Sequence, residues 1–163
     1  MRKPVADTAG PWRSTTAEET ESFGAKLAAT CPPHADAFTA VYLAGDLGAG
    51  KTTLCRGFLH AIGIAGPIRS PTYTLLETYE SPPSTVIHLD LYRLRDSSEL
   101  EALGLRDLAR PGYVWLVEWP ERGEGWLPPA DLHIDLSVGE QAHEITVRAI
   151  SDYGRTWLQR LSA

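Results

Sequence analysis

The sequence predicts a single α/β domain whose mixed parallel/antiparallel sheet is flanked by helices. Three observations carry that prediction. Apolar runs of strand length alternate with segments of helical spacing along most of the chain. A glycine-rich segment, residues 45–52, lies between one such strand and one such helix. Further on, apolar residues at every second position flank a Gly139-Glu140-Gln141 turn, which reads as an antiparallel hairpin solvated on one face. A length of 163 residues suits one domain.

Residues 1–15 hold Pro4, Gly10 and Pro11 without periodicity and are expected to be a flexible leader, in which Trp12 has no assigned place. Residues 16–163 form the domain. Thr16-Ala17-Glu18-Glu19 is a capping-box pattern, Phe23 and Leu27 follow at helical spacing, and Cys31-Pro32-Pro33 ends the helix. Phe38 to Ala44 is apolar and strand-like. After the glycine-rich interruption, Leu54, Phe58, Leu59 and Ile62 share one helical face, which Gly63 closes. Residues 73–79 and 85–92 read as strands around a Ser81-Pro82-Pro83 turn. Asp96-Ser97-Ser98-Glu99 opens a short helix that Gly104 ends, and Tyr113 to Trp119 is another apolar strand. Leu132, Ile134, Leu136 and Val138, then Ile145, Val147 and Ala149, make the hairpin, and Tyr153 to Leu161 reads as a closing helix.

Composition removes several classes of function. With 43% hydrophobic residues the chain buries a core. Fifteen basic against 21 acidic side chains, a net charge of −6, argue against gripping nucleic acid over a broad face. No apolar run approaches the roughly 18–20 residues of a membrane span. Met1-Arg2-Lys3 runs into Pro4, Asp7, Gly10 and Pro11 instead of a hydrophobic signal region. Two cysteines, Cys31 and Cys55, and five scattered histidines show neither a disulfide framework nor the usual zinc spacing. The expectation is a soluble, cytoplasmic protein that does not engage a membrane.

Gly45-Asp46-Leu47-Gly48-Ala49-Gly50-Lys51-Thr52 fits G-x-x-x-x-G-K-[S/T] and has a strand before it and a helix after it. Glycines let successive amides turn inward as a nest for phosphate oxygens. The helix beginning at Lys51 adds free amides and a partial positive charge. Lys51 would reach the β- and γ-phosphates, and the Thr52 hydroxyl would hold magnesium. The fold expected is therefore a phosphate-loop NTPase. None of the three lysines sits in the Asn/Thr-Lys-x-Asp segment of guanine-specific switches, so ATP is the expected nucleotide. Asp90 ends Val86-Ile87-His88-Leu89-Asp90 and Glu118 ends Val114-Trp115-Leu116-Val117-Glu118. In a parallel sheet those strand ends face the phosphate loop. One carboxylate would hold magnesium, directly or through water, and the other orient the attacking water, with the order left open. Thr72, in Arg69-Ser70-Pro71-Thr72-Tyr73-Thr74, either offers its hydroxyl to the γ-phosphate or metal or belongs to a proline turn entering a strand.

These blocks together resemble the TsaE (YjeE) family. They run from Gly45 to Thr53 with Arg56-Gly57, through Ser70-Pro71-Thr72-Tyr73-Thr74-Leu75 and His88-Leu89-Asp90-Leu91-Tyr92-Arg93-Leu94. Glu99-Leu100-Glu101, Leu103-Gly104 and Val117-Glu118-Trp119-Pro120-Glu121-Arg122-Gly123 complete them, across about residues 16–150. The resemblance implies a mixed-sheet phosphate-loop fold, binding of ATP and magnesium, slow hydrolysis alone, and association with the TsaB–TsaD pair. That pair transfers a threonylcarbamoyl group to adenosine 37 of tRNAs reading codons that begin with A, so tRNA is met only through the complex. Residue by residue it implies Lys51, Asp90 and Glu118 for catalysis and Thr52, Asp90 and Glu118 around the metal. It further implies residues Gly45 to Thr53, Thr72 and Trp119 beside the nucleotide. One departure stands out: Ala142-His143 occurs where many relatives carry Gly-Arg, at one wall of the base pocket.

Arg93 and Arg122 could neutralise phosphate charge or pair with surface acids, which contributes about 0–1 kcal/mol and is the ordinary fate of such residues, and they are the candidates for partner contacts. Arg56 and Arg95 share that choice. Cys55 and Trp115 read as core, whereas Tyr92 and Trp126 have no assigned role. A small-molecule kinase is the alternative function and a nucleotide-binding adaptor without chemistry a third. A kinase calls for an arginine-bearing lid, and the C-terminal third reads as a hairpin.

Overall fold

A computed structural model describes residues 7–34 and 36–163; residues 1–6, the first part of the expected leader, lie outside the described residues. In chain order the elements are β1 (Thr8–Ser14), α1 (Ala17–Thr30), β2 (Thr39–Ala44), α2 (Lys51–Ala61), β3 (Leu76–Ser81) and β4 (Ser84–Asp90). They continue with α3 (Glu99–Ala102), β5 (Tyr113–Glu118), β6 (Leu132–Val138), β7 (His143–Ala149) and α4 (Asp152–Ser162). All seven strands join one sheet in the order β1-β7-β6-β2-β5-β4-β3. The pairs β6–β2, β2–β5 and β5–β4 are parallel, and antiparallel strands complete both sides. The α/β mixed sheet expected from the sequence is the one observed.

Central strands are buried on both faces, which is why they read as continuous apolar runs. On one face Phe23, Leu27, Leu54, Phe58, Trp157 and Leu161 from α1, α2 and α4 cover Leu43, Leu116, Ile134 and Val147. On the other, Leu100 and Leu105 pack over Ile87, Leu89, Trp115 and Val117. Helices α1 and α2 approach through glycines. A Cβ on Gly24 would lie 2.0 Å from the Leu54 carbonyl oxygen, and one on Gly57 2.0 Å from that of Glu21. This contact fixes the height of α2, and with it the position of the helix N-terminus that faces the functional cleft. At the start of α1 the Thr16 hydroxyl accepts from the Glu19 amide at 3.1 Å, and the Glu19 carboxylate reaches one residue further back than in the usual box, to the Thr15 amide at 2.6 Å.

Three expectations need correction. Residues 8–14, assigned to a flexible leader, are edge strand β1, which pairs with β7 and shifts register between Ala9 and Trp12. Pro11 falls in that irregular stretch, where no ladder donor is needed, and Trp12 packs on Phe23 with ring centroids 5.1 Å apart. The strand expected over 73–79 begins only at Leu76, because residues 72–74 form a turn in which the Leu75 amide donates to the Pro71 carbonyl at 2.7 Å. The strand expected over 85–92 stops at Asp90, since the chain then turns, with the Leu94 amide donating to the Leu91 carbonyl at 3.1 Å.

Candidate functional site

Strand β2 ends at Ala44 and α2 begins at Lys51, so residues 45–50 are the loop between them. Gly50 caps the helix at φ 107°, a left-handed angle that a side chain resists. The first helical bond runs from the Leu54 amide to the Gly50 carbonyl at 2.9 Å. Amides of the first turn have no acceptor within the helix and face an anion with the positive end of the dipole.

Lys51 is only 4% exposed. Its Nζ donates to the Gly45 carbonyl at 2.6 Å and the Asp46 carbonyl at 2.9 Å, and lies 4.2 Å from the Trp119 ring centroid. Burial draws the ammonium pKa below the ordinary lysine value, opposed by the negative charges of Glu118, Asp90, Glu121 and Asp46. A phosphate chain, with more negative charge than these carbonyls offer, is a natural partner for a cation held there.

The ladder of β4 and β5 sets Asp90 beside Glu118. Glu118 Oε1 accepts from Thr52 Oγ1 at 2.8 Å, and its Oε2 lies 2.6 Å from His88 Nε2. Asp90 Oδ2 accepts from the hydroxyls of Ser70 and Thr72, the latter at 3.3 Å, and Oδ1 accepts from the Tyr92 amide at 3.0 Å. Thr52, Asp90 and Glu118 present only oxygen atoms, the donor type that magnesium takes, so this set fits a hard divalent cation. Cys55 packs below them, with a donor atom of Cys55, His88 and Glu118 all within 4.8 Å of one another. Burial pushes the Cys55 thiol pKa well up, so it fills space as a protonated core residue.

Lys51, Thr52, Asp90 and Glu118 line one cleft of about 450 Å³. Of the residues expected from the sequence, Leu47, Gly48, Gly50, Lys51, Thr52, Thr53, Thr72, Asp90, Glu118 and Trp119 meet there. Gly45 and Asp46 take part through the carbonyls that hold Lys51. Ala49 stands apart: its side chain is buried in the core, its amide donates to the Asp46 carbonyl, and its carbonyl accepts from His143 Nδ1 at 2.9 Å. Arg93, one of the arginines read as able to neutralise phosphate charge, also lines this wall, whereas sequence reasoning had not placed Ser70 or Tyr92 there, nor His88 beneath it. The signal for His88 was its isolation, a lone imidazole in an otherwise aliphatic strand that ends in a carboxylate.

A second cavity of about 270 Å³ continues from the first across Gly48, Gly50 and Thr53, and is bounded by Ser14, Thr16, Thr20 and His143. Trp119, at φ 58°, follows the last residue of β5 and caps the 3-10 turn Pro120–Gly123. Its ring lies 5.0 Å from Tyr92, while the Arg122 guanidinium covers both rings at 5.1 and 5.5 Å. Arg93 stacks on Tyr73 at 4.4 Å. Arg56, by contrast, pairs with Glu21 at 3.3 Å. No helix among the described residues is long and apolar enough to cross a membrane.

Comparison with known proteins adds a second line of argument. The profile of a family described as "Threonylcarbamoyl adenosine biosynthesis protein TsaE" matches residues 14–147. A tRNA threonylcarbamoyladenosine biosynthesis protein TsaE from Haemophilus influenzae is 43% identical over 129 residues, 79% of this chain and 82% of that protein. Its namesake from Bacillus subtilis is 38% identical over 152 residues, 93% of this chain and 92% of that protein. The crystal structure of Bacillus subtilis YdiB superposes with a TM-score of 0.74 at 28% identity, covering 98% of this chain and 97% of that one.

Proposed function

The chain belongs to the TsaE family of tRNA threonylcarbamoyladenosine biosynthesis, and from that premise we propose that it serves this modification as a magnesium-dependent ATPase, a nucleotide-driven switch on the TsaB–TsaD pair. One observation carries the reading: Lys51 and Thr52 from the first turn of α2, with Asp90 and Glu118 from two strand ends, converge on one cleft. The tRNA is reached through that complex, and the place of action is the cytoplasm.

Each residue has a task that its surroundings support. First-turn amides of α2 and the Lys51 ammonium bind the β- and γ-phosphates. Thr52, Glu118 and Asp90 hold Mg²⁺, which when bound neutralises charge on the phosphates. Asp90, tied to Ser70 and Thr72, connects the cleft to the loop that precedes β3. The nucleoside end occupies the adjoining cavity between Thr16, Thr20 and His143, where an imidazole takes the place of the family's guanidinium. Leu47 and Tyr73, 70% and 82% exposed, offer apolar surface to a protein partner at the cleft mouth. A small-molecule kinase is disfavoured because β6, β7 and α4 are spent on extending the sheet and covering it, and contribute no arginine to the cleft among the described residues.

Lys51→Ala tests the reading. Binding of a fluorescent ATP analogue and ATP turnover should both fall by about 100-fold or more. Turnover at the parent rate would overturn the assignment. Addition of TsaB and TsaD should raise the parent's turnover, and radiolabel passing to a small metabolite instead of water would favour a kinase.

A further inference from the structure

We propose that His88 is a positioning residue for this site, one that fixes Glu118 from the core side so that its other oxygen faces Thr52 and the metal. The inference rests on the magnesium reading given above and extends it to a group that does not line the cleft.

Geometry carries the argument. His88 is fully buried between Ile87 and Leu89 in the apolar middle of β4. An imidazole at such a place is costly unless it is paired, and an aliphatic residue of similar size would fill the space more cheaply. Among the described residues its one side-chain partner is Glu118 Oε2 at 2.6 Å, and Nδ1 is buried without a partner. An ionised carboxylate only accepts, so the network assigns the shared hydrogen to His88 Nε2. Position is set by backbone: His88 pairs with Leu116 and Asp90 with Glu118 on adjacent parallel strands, so the imidazole rises one step behind the carboxylate. Thr52 grips Oε1 and His88 grips Oε2, leaving the carboxylate no free rotation. Groups that hold a metal-ligating side chain from behind commonly change metal affinity by about 10–100-fold when removed. Asp90 lies two residues further along the same strand, yet its partners are Ser70, Thr72 and the Tyr92 amide, so His88 serves Glu118 alone.

The test measures how much Mg²⁺ the full chain needs to tighten its binding of N-methylanthraniloyl-ADP, at equilibrium and without turnover. Three variants are compared with the parent, each checked for folding by circular dichroism. His88→Leu should raise the half-effective Mg²⁺ concentration by about 10–100-fold while affinity in EDTA stays within about threefold. His88→Gln carries an N–H at nearly the distance of Nε2 and should recover most of the loss. His88→Asn, whose amide stops at the place of Nδ1, should not. If the leucine variant fails to fold, the contrast between Gln and Asn still decides, because a purely structural role would not separate them in this order. Glu118→Gln, run alongside, tells the two readings apart. If it shifts the Mg²⁺ requirement and the His88 variants do not, the role of His88 is overturned and the metal site stands. If neither moves the requirement, the metal reading falls and the role of His88 falls with it.

Discussion

Asp90 and Glu118 stand side by side on neighbouring parallel strands, are 4% and 2% exposed, and face the same cleft, yet they are wired to different parts of the molecule. Glu118 is bonded to Thr52 on α2 and to His88 inside the sheet, both on regular elements that pack on the core. Asp90 is bonded to Ser70 and Thr72, which belong to the loop between α2 and β3. Two carboxylates that a sequence cannot rank are separated by their partners. One is seated on rigid elements and suits a fixed ligand position. The other is attached to a loop and suits a report of what occupies the cleft, since loops rearrange more readily than sheet and helix.

The largest effect that would sharpen this contrast is on turnover. Glu118→Gln should lower kcat by about 100-fold or more, as loss of a placed charge at a reacting centre commonly does. Asp90→Asn should lower it less, and Ser70→Ala with Thr72→Ala should reproduce the Asp90 phenotype but not that of Glu118. A double-mutant cycle makes the statement quantitative. Ser70 with Asp90 should couple by about 0.5–3 kcal/mol, as should Thr52 with Glu118, whereas Ser70 with Glu118 should be additive within about 0.5 kcal/mol. Strong coupling across that last pair would abolish the distinction.

Next in size is an effect on the rigid side. Gly57→Ala puts a methyl group where the Glu21 carbonyl oxygen lies 2.0 Å away, so α1 and α2 must separate. Overpacking of this kind costs about 1–3 kcal/mol, visible in a denaturant midpoint. Because α2 carries Thr52, the same variant should weaken the Mg²⁺-dependent part of nucleotide binding more than the Asp90 branch. Equal loss in both would show that the two carboxylates share one support.

How far the residues announced all this depends on the distance over which the cause acts. The loop from Gly45 to Thr52 and the start of α2 were legible because their causes are local: a left-handed Gly50, a helix N-terminus, a lysine and a hydroxyl in fixed order. The parallel centre was legible because burial on both faces leaves an aliphatic run. Strand β1 was not, since Gly10 and Pro11 break its alternation and what holds it is remote, namely pairing with β7 and the packing of Trp12 on Phe23. Ala49 lies within the motif, but its carbonyl and side chain face His143 and the core, which spacing cannot tell. The division of labour between Asp90 and Glu118 was hidden for the same reason, because Ser70 and His88 are far from one or both in the chain.

The smallest effect belongs to the opposite face of the sheet and serves as a blank for the comparison. Tyr42, on β2, donates its hydroxyl to the Pro128 carbonyl, and burial pushes its pKa up to about 12. A phenol whose folded pKa lies above the unfolded value near 10 favours the folded state fully below pH 10, and that contribution is lost as pH rises through about 12. At pH 9 the parent should therefore be more stable than Tyr42→Phe by about 1 kcal/mol, the usual worth of one such hydrogen bond. The difference should shrink above pH 10 and then change sign before the folded value is reached, because a rise of the pKa from 10 to about 12 is worth about 2.7 kcal/mol before discounting for solvent screening, while the other tyrosines cancel between the two proteins. Mg²⁺-dependent nucleotide binding at neutral pH should be the same in both. A difference there would mean that the face carrying Tyr42 communicates with Glu118 through β2 and β5, and the rigid side of the comparison would have to be drawn wider.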